Sequence, residues 1–193
     1  MRSGITAAIA CHPARMESGM LTRAFTSVAA QTLQPAAVVV VNDLERRGAG
    51  TSRRLLLDMV DTEWLAWLDS DDEWKPEHLE RLHQVAADTG AVFVYSWFEA
   101  RSDPLGHFGK PFNPCQPHHT TITHLVRTDI AREVGFYDND EGPYANEDWK
   151  FITGVARIAC ERELRMIHLA ERTWTWHMGA QNSSGQPGQG DAT

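Results

Sequence analysis

Four apolar runs decide the fold class, because segments with helical periodicity separate each run from the next. Residues 5–11, 37–41, 64–68 and 91–97 are short, largely apolar and the length of buried strands. Between the first two, Leu21, Ala24, Phe25, Val28 and Ala29 share one face of a helix that Pro35 ends. Leu55, Leu56, Met59 and Val60 mark a second helix, with Thr51 or Ser52 as its cap. Leu79, Leu82 and Ala86 mark a third, with Pro76 in its first turn and Gly90 just past its end. This alternation predicts an α/β chain, a Rossmann-like, mainly parallel sheet flanked by helices. Open sheets of this class hold ligands at the carboxyl ends of their strands. Here three such ends are polar: Cys11-His12, Asn42-Asp43 and Asp69-Ser70-Asp71-Asp72.

The second half is less regular. Residues 101–119, rich in Gly and Pro, predict a long loop, and 122–126 a short strand. Ile152, Val155, Ala156 and Ala159 form a helical face just after Asn146-Glu147-Asp148. Residues 166–169 and 173–177 read as two short strands, and the polar tail 179–193 as flexible. The 193 residues carry 18 Lys+Arg against 26 Asp+Glu, a net charge of -8, which excludes the basic stripe of a nucleic-acid binder. No apolar run approaches the roughly 18 residues of a membrane span, and the N-terminus is a poor signal peptide. Three widely spaced cysteines, Cys11, Cys115 and Cys160, suggest neither a disulfide framework nor a zinc motif. Together these features predict a protein of the reducing cytoplasm.

Several groups could carry chemistry. The carboxylates of Asp69-Ser70-Asp71-Asp72 can converge on one hard divalent cation, Mg or Mn, which would neutralise a departing diphosphate. The same residues could equally form a turn before the helix at Pro76. Glu147-Asp148-Trp149 offers a general base at a helix start, or acidic capping of that helix with Asn146. His177, after Trp174-Thr175-Trp176, is a surface residue or a metal ligand. Trp149, Trp174 and Trp176 suit sugar stacking or core packing. His118, His119 and His124 match no metal motif and read as loop residues or acceptor contacts. Gly48-Ala49-Gly50-Thr51, with Arg53 and Arg54, lacks the ending of a P-loop and is a turn that could approach phosphates. Cys11 reads as a small buried hydrophobe.

In this order the pieces resemble the family 2 glycosyltransferases with the GT-A fold, over residues 4–185. Residues 5–15 stand for the opening strand and its turn. Residues 21–43, LTRAFTSVAAQTLQPAAVVVVND, resemble the first helix and second strand. Residues 48–79, GAGTSRRLLLDMVDTEWLAWLDSDDEWKPEHL, contain the DXD element as Asp69-Ser70-Asp71. Val134-Gly135-Phe136-Tyr137-Asp138 followed by Glu147-Asp148-Trp149 resembles the acceptor-side segment, and Trp176-His177 with Asn182-Ser183 the closing one.

The resemblance implies a metal-dependent, inverting transfer of a sugar from a nucleotide-diphosphate donor to an acceptor hydroxyl, with Mn2+ or Mg2+ as cofactor. It implies nucleotide-sugar contacts from Cys11, His12, Arg15, Asp43, Arg53, Asp69 and Ser70. It implies metal ligation by Asp71 and His177 with Asp69, and Asp148 as base with Glu147 beside it. Residues 1–100 would form the nucleotide-sugar-binding half and 101–178 a short acceptor-side half. The implied partners are the nucleotide-sugar donor and an acceptor of open identity, without nucleic acid or a membrane span; a homo-oligomer stays open. Cys11, Pro13, residues 44–47 and Arg54 depart from the family's usual residues, and all four departures fall on nucleotide contacts. The rival readings are a metal-dependent nucleotide-sugar hydrolase and a non-catalytic nucleotide- or glycan-binding module of the same fold. A nucleotidyltransferase ranks lower, because residues 13–19 offer only one Arg and one Gly.

Overall fold

The sheet is organised around β1 (Ile5–Cys11), a strand buried along nearly its whole length with a parallel neighbour on each side. The computed structural model describes residues 4–103, 105–136 and 147–177. From β1 the chain passes through α1 (Pro13–Glu17) and α2 (Met20–Ala29) to β2 (Ala37–Asn42). It then crosses back through α3 (Ala49–Asp58) to β3 (Trp64–Asp69) on the other side of β1. The order β2-β1-β3 therefore switches direction at β1, the point where open α/β sheets form a ligand crevice. Register fixes this at single residues: Cys11 pairs with Asn42 and Ala10 with Asp69, so three strands end in line.

The rest of the sheet is mixed. After the two-residue β4 (Glu73–Trp74), α4 (His78–Thr89) closes at Gly90, whose φ of 68° suits glycine, and leads into β5 (Ala91–Glu99). Strand β6 (His124–Arg127) lies antiparallel between β3 and β5. Helices α5 (Thr128–Val134) and α6 (Glu147–Glu161) precede β7 (Arg165–Thr175), which runs parallel to β5 and pairs its end with β4. The seven strands run β2-β1-β3-β6-β5-β7-β4, and β6 and β4 alone oppose the others. The mainly parallel α/β sheet expected from the sequence is thus present.

Several expectations need correction. The two strands expected over 166–169 and 173–177 are one: β7 keeps pairing with β5 through register shifts at Tyr95/Trp97 and Trp97/Phe98. The exposed residues Ala170 and Arg172 interrupt the apolar pattern without ending the strand. Helix α3 starts earlier than expected, with Gly48 at its N-cap in place of Thr51 or Ser52. Helix α5 was not foreseen, because seven residues give too little periodicity to read. His124 is a core residue, not a loop one. It sits in β6 with its ring 4.3 Å from Phe93 and stacked on Phe151, and burial pushes its pKa down to about 3. Residues 179–193, expected to be flexible, and Tyr137, Asp138 and Asn146 lie outside the described residues.

The cysteine reading also changes. Cys115, in the loop after β5, and Cys160, near the end of α6, form a disulfide with Cα atoms 5.1 Å apart. The 45-residue separation hides the pair from any spacing rule. Cys11 is free and buried, as expected. Among the described residues no helix is long and apolar enough to cross a membrane.

Aromatic side chains dominate the core: Trp67, Phe93, Tyr95, Trp97, Phe98, Phe136 and Phe151 are fully buried. Phe136 stacks on Phe151 at 4.2 Å and meets Trp67 edge-on at 5.1 Å, joining α6 to β3. Burying each such ring contributes roughly 1.5–3 kcal/mol.

Two stability outcomes follow. A Cβ at Gly154 in α6 would lie 2.5 Å from Val134 Cγ1 on α5, and valine's branched side chain has little freedom to move away. Gly154→Ala should lower the unfolding free energy by about 1–3 kcal/mol despite alanine's better helix propensity, and Val134→Ala in the same chain should recover part of it. Urea denaturation of the single and double variants checks this. Reducing Cys115–Cys160 with dithiothreitol should cost roughly 2–4 kcal/mol, because the cross-link no longer restricts the unfolded chain. A calorimetric scan that shows no fall in melting temperature contradicts that role.

Candidate active site

The aligned strand ends deliver three groups of side chains to one edge of the sheet. At the ends of β1 and β2 is a cavity of about 420 Å³, lined by Cys11, His12, Asp43, Arg46, Gly48 and Ser52 among others. Asp43, buried at the end of β2, builds its wall: Oδ1 accepts the Arg47 N–H and Oδ2 the Gly48 N–H, both at 2.9 Å. Those bonds stabilise a turn in which Arg46 adopts φ 55° and Gly48 φ 103°. The Cys11 thiol donates to the His12 carbonyl at 3.3 Å, and burial raises its pKa. Burial, aided by the Arg15 and Arg46 charges, lowers the pKa of His12, so its ring is neutral at pH 7. Cys11, His12 and Asp43 thus stand together, as expected for a nucleotide pocket.

Beside this cavity, β3 ends in an acidic cluster. Asp69, Asp71 and Asp72 each offer a carboxylate oxygen within 4.8 Å of the others. Asp71 and Asp72 are buried. Burial pushes the Asp72 pKa up to about 9, and the neighbouring Asp69 and Asp71 charges add to the effect. Asp72 Oδ1 also accepts the His177 backbone N–H at 3.0 Å. The donors are hard oxygens, and their mutual repulsion is what a divalent cation would relieve, so the residues fit Mg2+ or Mn2+. His177 meets this cluster through its backbone. Its imidazole Nε2 is 3.6 Å from Glu73 Oε2 and is not among the three clustered ligand groups. The resemblance implied Asp71, His177 and Asp69 as the metal ligands; the cluster instead groups Asp72 with Asp69 and Asp71.

Two buried arginines bind this acidic edge, and neither is among the residues that line the cavity at β1 and β2. Arg15 reaches Ser70 Oγ at 3.2 Å and Asp71 Oδ2 at 2.9 Å. Arg53, from α3, reaches Asp69 Oδ1 at 2.8 Å and Glu147 Oε1 at 2.5 Å. Its burial opposes the charge, but Asp69, Glu147 and Asp148 more than compensate, so its pKa is raised. These pairings join residues 56 and 94 positions apart, and no local pattern in the sequence signals them.

The first turn of α6 completes the arrangement. Burial raises the pKa of Glu147, partly offset by the Arg53 charge. Asp148 is half-buried, with Oδ1 accepting the N–H of Trp149 at 2.7 Å. Trp149 in turn stacks on His119 with ring centroids 4.5 Å apart, which brings the long loop against the start of α6. Of the other expected stacking rings, Trp174 is buried, packed edge-on to Phe98, while Trp176 is half-buried. The expected site residues therefore occupy one edge, with Arg15 and Arg53 turned to carboxylates.

Comparison with known proteins agrees with this geometry. Residues 44–137, which include Arg53 and the aspartate cluster, match the family model for glycosyl transferase family 2. A succinoglycan biosynthesis protein, ExoW, from Rhizobium meliloti (strain 1021) is 36% identical over a match covering 48% of this chain and 38% of that protein. Among solved structures, S. aureus TarS superposes with a TM-score of 0.71 at 16% identity, covering 89% of this chain and 36% of TarS. TarS 1-349 in complex with UDP-GlcNAc gives a TM-score of 0.71 at 18% identity, covering 90% of this chain and 59% of that one. The chain thus spans less than two thirds of the length of each of these relatives. The structural matches establish a shared GT-A fold. The segment that carries Arg53 and the acidic cluster, set at the strand ends of that fold, is thus similar to glycosyl transferase family 2.

Proposed function

We propose that the chain is an inverting glycosyltransferase that moves a sugar from a nucleoside diphosphate to an acceptor hydroxyl. The observation that carries this reading is the juxtaposition at one sheet edge of the cavity at β1 and β2 with the three-carboxylate cluster at β3. A nucleoside in the cavity would have its diphosphate beside Asp69, Asp71 and Asp72. The TarS relative was solved with UDP and with UDP-GlcNAc, which supports UDP as the first nucleotide to test. Residues 1–100 would supply the donor side, 101–178 the acceptor side, and an acceptor molecule completes the partner set. Donor chemistry favours the cytoplasm, where Cys115 and Cys160 would stand reduced.

In this reading a divalent cation, Mn2+ or Mg2+, would be held by Asp71 and Asp69, with Asp72 and His177 beside them, and would neutralise the leaving diphosphate as a Lewis acid. The residues of the chain do the rest. Arg53 holds Glu147 and Asp69 in ion pairs, and Asp148 is the other carboxylate of that turn. Asp148 takes the proton of the acceptor hydroxyl as its oxygen attacks the anomeric carbon. The carbon–oxygen bond to the diphosphate breaks on the opposite face, and the electron pair leaves with the diphosphate. One carboxylate base suffices, and the transition state has the oxocarbenium character of glycosyl transfer.

Asp71→Asn should weaken Mn2+-dependent UDP binding by about tenfold or more in titration calorimetry. Unchanged Mn2+-dependent binding removes Asp71 from the metal site. Asp148→Asn should leave UDP affinity within about twofold of the parent and lower the transfer rate by roughly 10²–10⁴-fold. Release of free sugar at the parent rate without an acceptor would instead favour the hydrolase.

A further inference from the structure

A second cavity, about 550 Å³ in volume, opens at the carboxyl ends of β5 and β7. Its walls are Glu99, Ala100, Arg101, Thr175, Trp176 and His177. The position follows from the topology. Strands β5 and β7 are parallel, and Trp176 N–H still bonds the Glu99 carbonyl at 2.9 Å, so both ends open on one side. His177 links this cavity to the acidic cluster, because its backbone N–H bonds Asp72. The edge of the sheet therefore presents the first cavity, then the carboxylates, then this second cavity. Its volume lies within the roughly 300–1,000 Å³ common to small-ligand sites.

The lining is unusual in its charges. Glu99 is neutralised by Lys75 at 2.6 Å, and the His177 ring faces Glu73. Arg101 is exposed and makes no ion pair among the described residues, although the chain carries eight more acidic than basic side chains. Among the described residues its guanidinium is thus a charge of the cavity wall outside any ion pair. Trp176 is half-buried, its ring held edge-on to Phe98 at 5.0 Å, with part of the indole left to the cavity. An indole beside a cation suits a ligand with both an apolar face and an anion. A sugar ring that carries a carboxylate or phosphate has that combination, and the planar guanidinium can grip either anion through two hydrogen bonds.

We propose that this second cavity is the acceptor subsite and that it selects a saccharide bearing an anionic substituent, read by Arg101 and Trp176; this rests on the transfer reading above. Arg101 is then a specificity-determining residue, and it acts at a distance from the bond that breaks.

The test is titration calorimetry on the full chain with Mn2+ and UDP present, using three probes: trigalacturonic acid, glucose 6-phosphate and the neutral sugar maltotriose. At least one anionic probe should bind about tenfold more tightly than maltotriose, and the tighter of the two identifies the anion as carboxylate or phosphate. Arg101→Ala should remove that preference, weakening the anionic probe by about tenfold while leaving maltotriose unchanged. Arg101→Lys should recover only part of it, since lysine keeps the charge and loses the fork. Trp176→Phe should weaken all probes that bind. A melting temperature matching the parent's shows that each variant is folded. Equal affinity for anionic and neutral probes, no binding of any probe, or an anionic preference that survives Arg101→Ala overturns the proposal. Titration of the parent with UDP and Mn2+ alone reports on the transfer reading separately, so failure of either stands apart from failure of the other.

Discussion

The Arg53 guanidinium holds the site together. It is buried, and it spans the end of β3 at Asp69 and the first turn of α6 at Glu147. A buried cation with one partner removed is left unpaired in a medium that solvates it poorly, at a cost of about 3–5 kcal/mol. That cost makes the relative placement of the end of β3 and α6 a two-ended constraint. If either carboxylate moves away, the arginine loses half of its neutralisation. Asp148 follows Glu147 directly, so its distance from the acidic cluster is set by the same pair.

The acidic edge is a balance of like and unlike charges. Asp69, Asp71 and Asp72 repel one another, and burial raises the cost of their ionised forms. Two arginines offset part of that repulsion, and burial with the neighbouring charges raises the Asp72 pKa. A divalent cation would enter in competition with these compensations. Arg15 on Asp71 is therefore as much a part of the site as the aspartates. Its guanidinium occupies the carboxylate that the family resemblance assigns to the metal.

Much of this architecture was legible in the sequence, for a physical reason. Strands buried on both faces, such as β3 and β5, must be nearly continuous runs of apolar residues, and they stop where the backbone reaches solvent and polar groups. The breaks at Cys11-His12, Asn42-Asp43 and Asp69 therefore mark a shared edge before any coordinates are known. What stayed hidden was pairing at long range. Cys115 with Cys160, Arg15 with Asp71 and Arg53 with Glu147 leave no local trace, because each depends on where two distant elements pack. The continuity of β7 was hidden too, since residues facing solvent break a pattern without breaking a backbone ladder.

Strand β6 has a wider consequence. Because it runs against both β3 and β5, its amino end, at His124, reaches the edge where its neighbours finish. In the middle of the sheet, a long loop thus arrives where a strand-to-helix turn would otherwise leave, and it brings His119 to Trp149. The β2-β1-β3 unit has no such freedom: its crossovers are tied to β1 on both sides. Lengthening or exchanging the loop before β6 would alter that edge while leaving the cavity at β1 and β2 and its register untouched. The reversed β6 thus makes the loop before it an interchangeable part, which is how a lineage could change that edge on an unchanged β1–β3 unit.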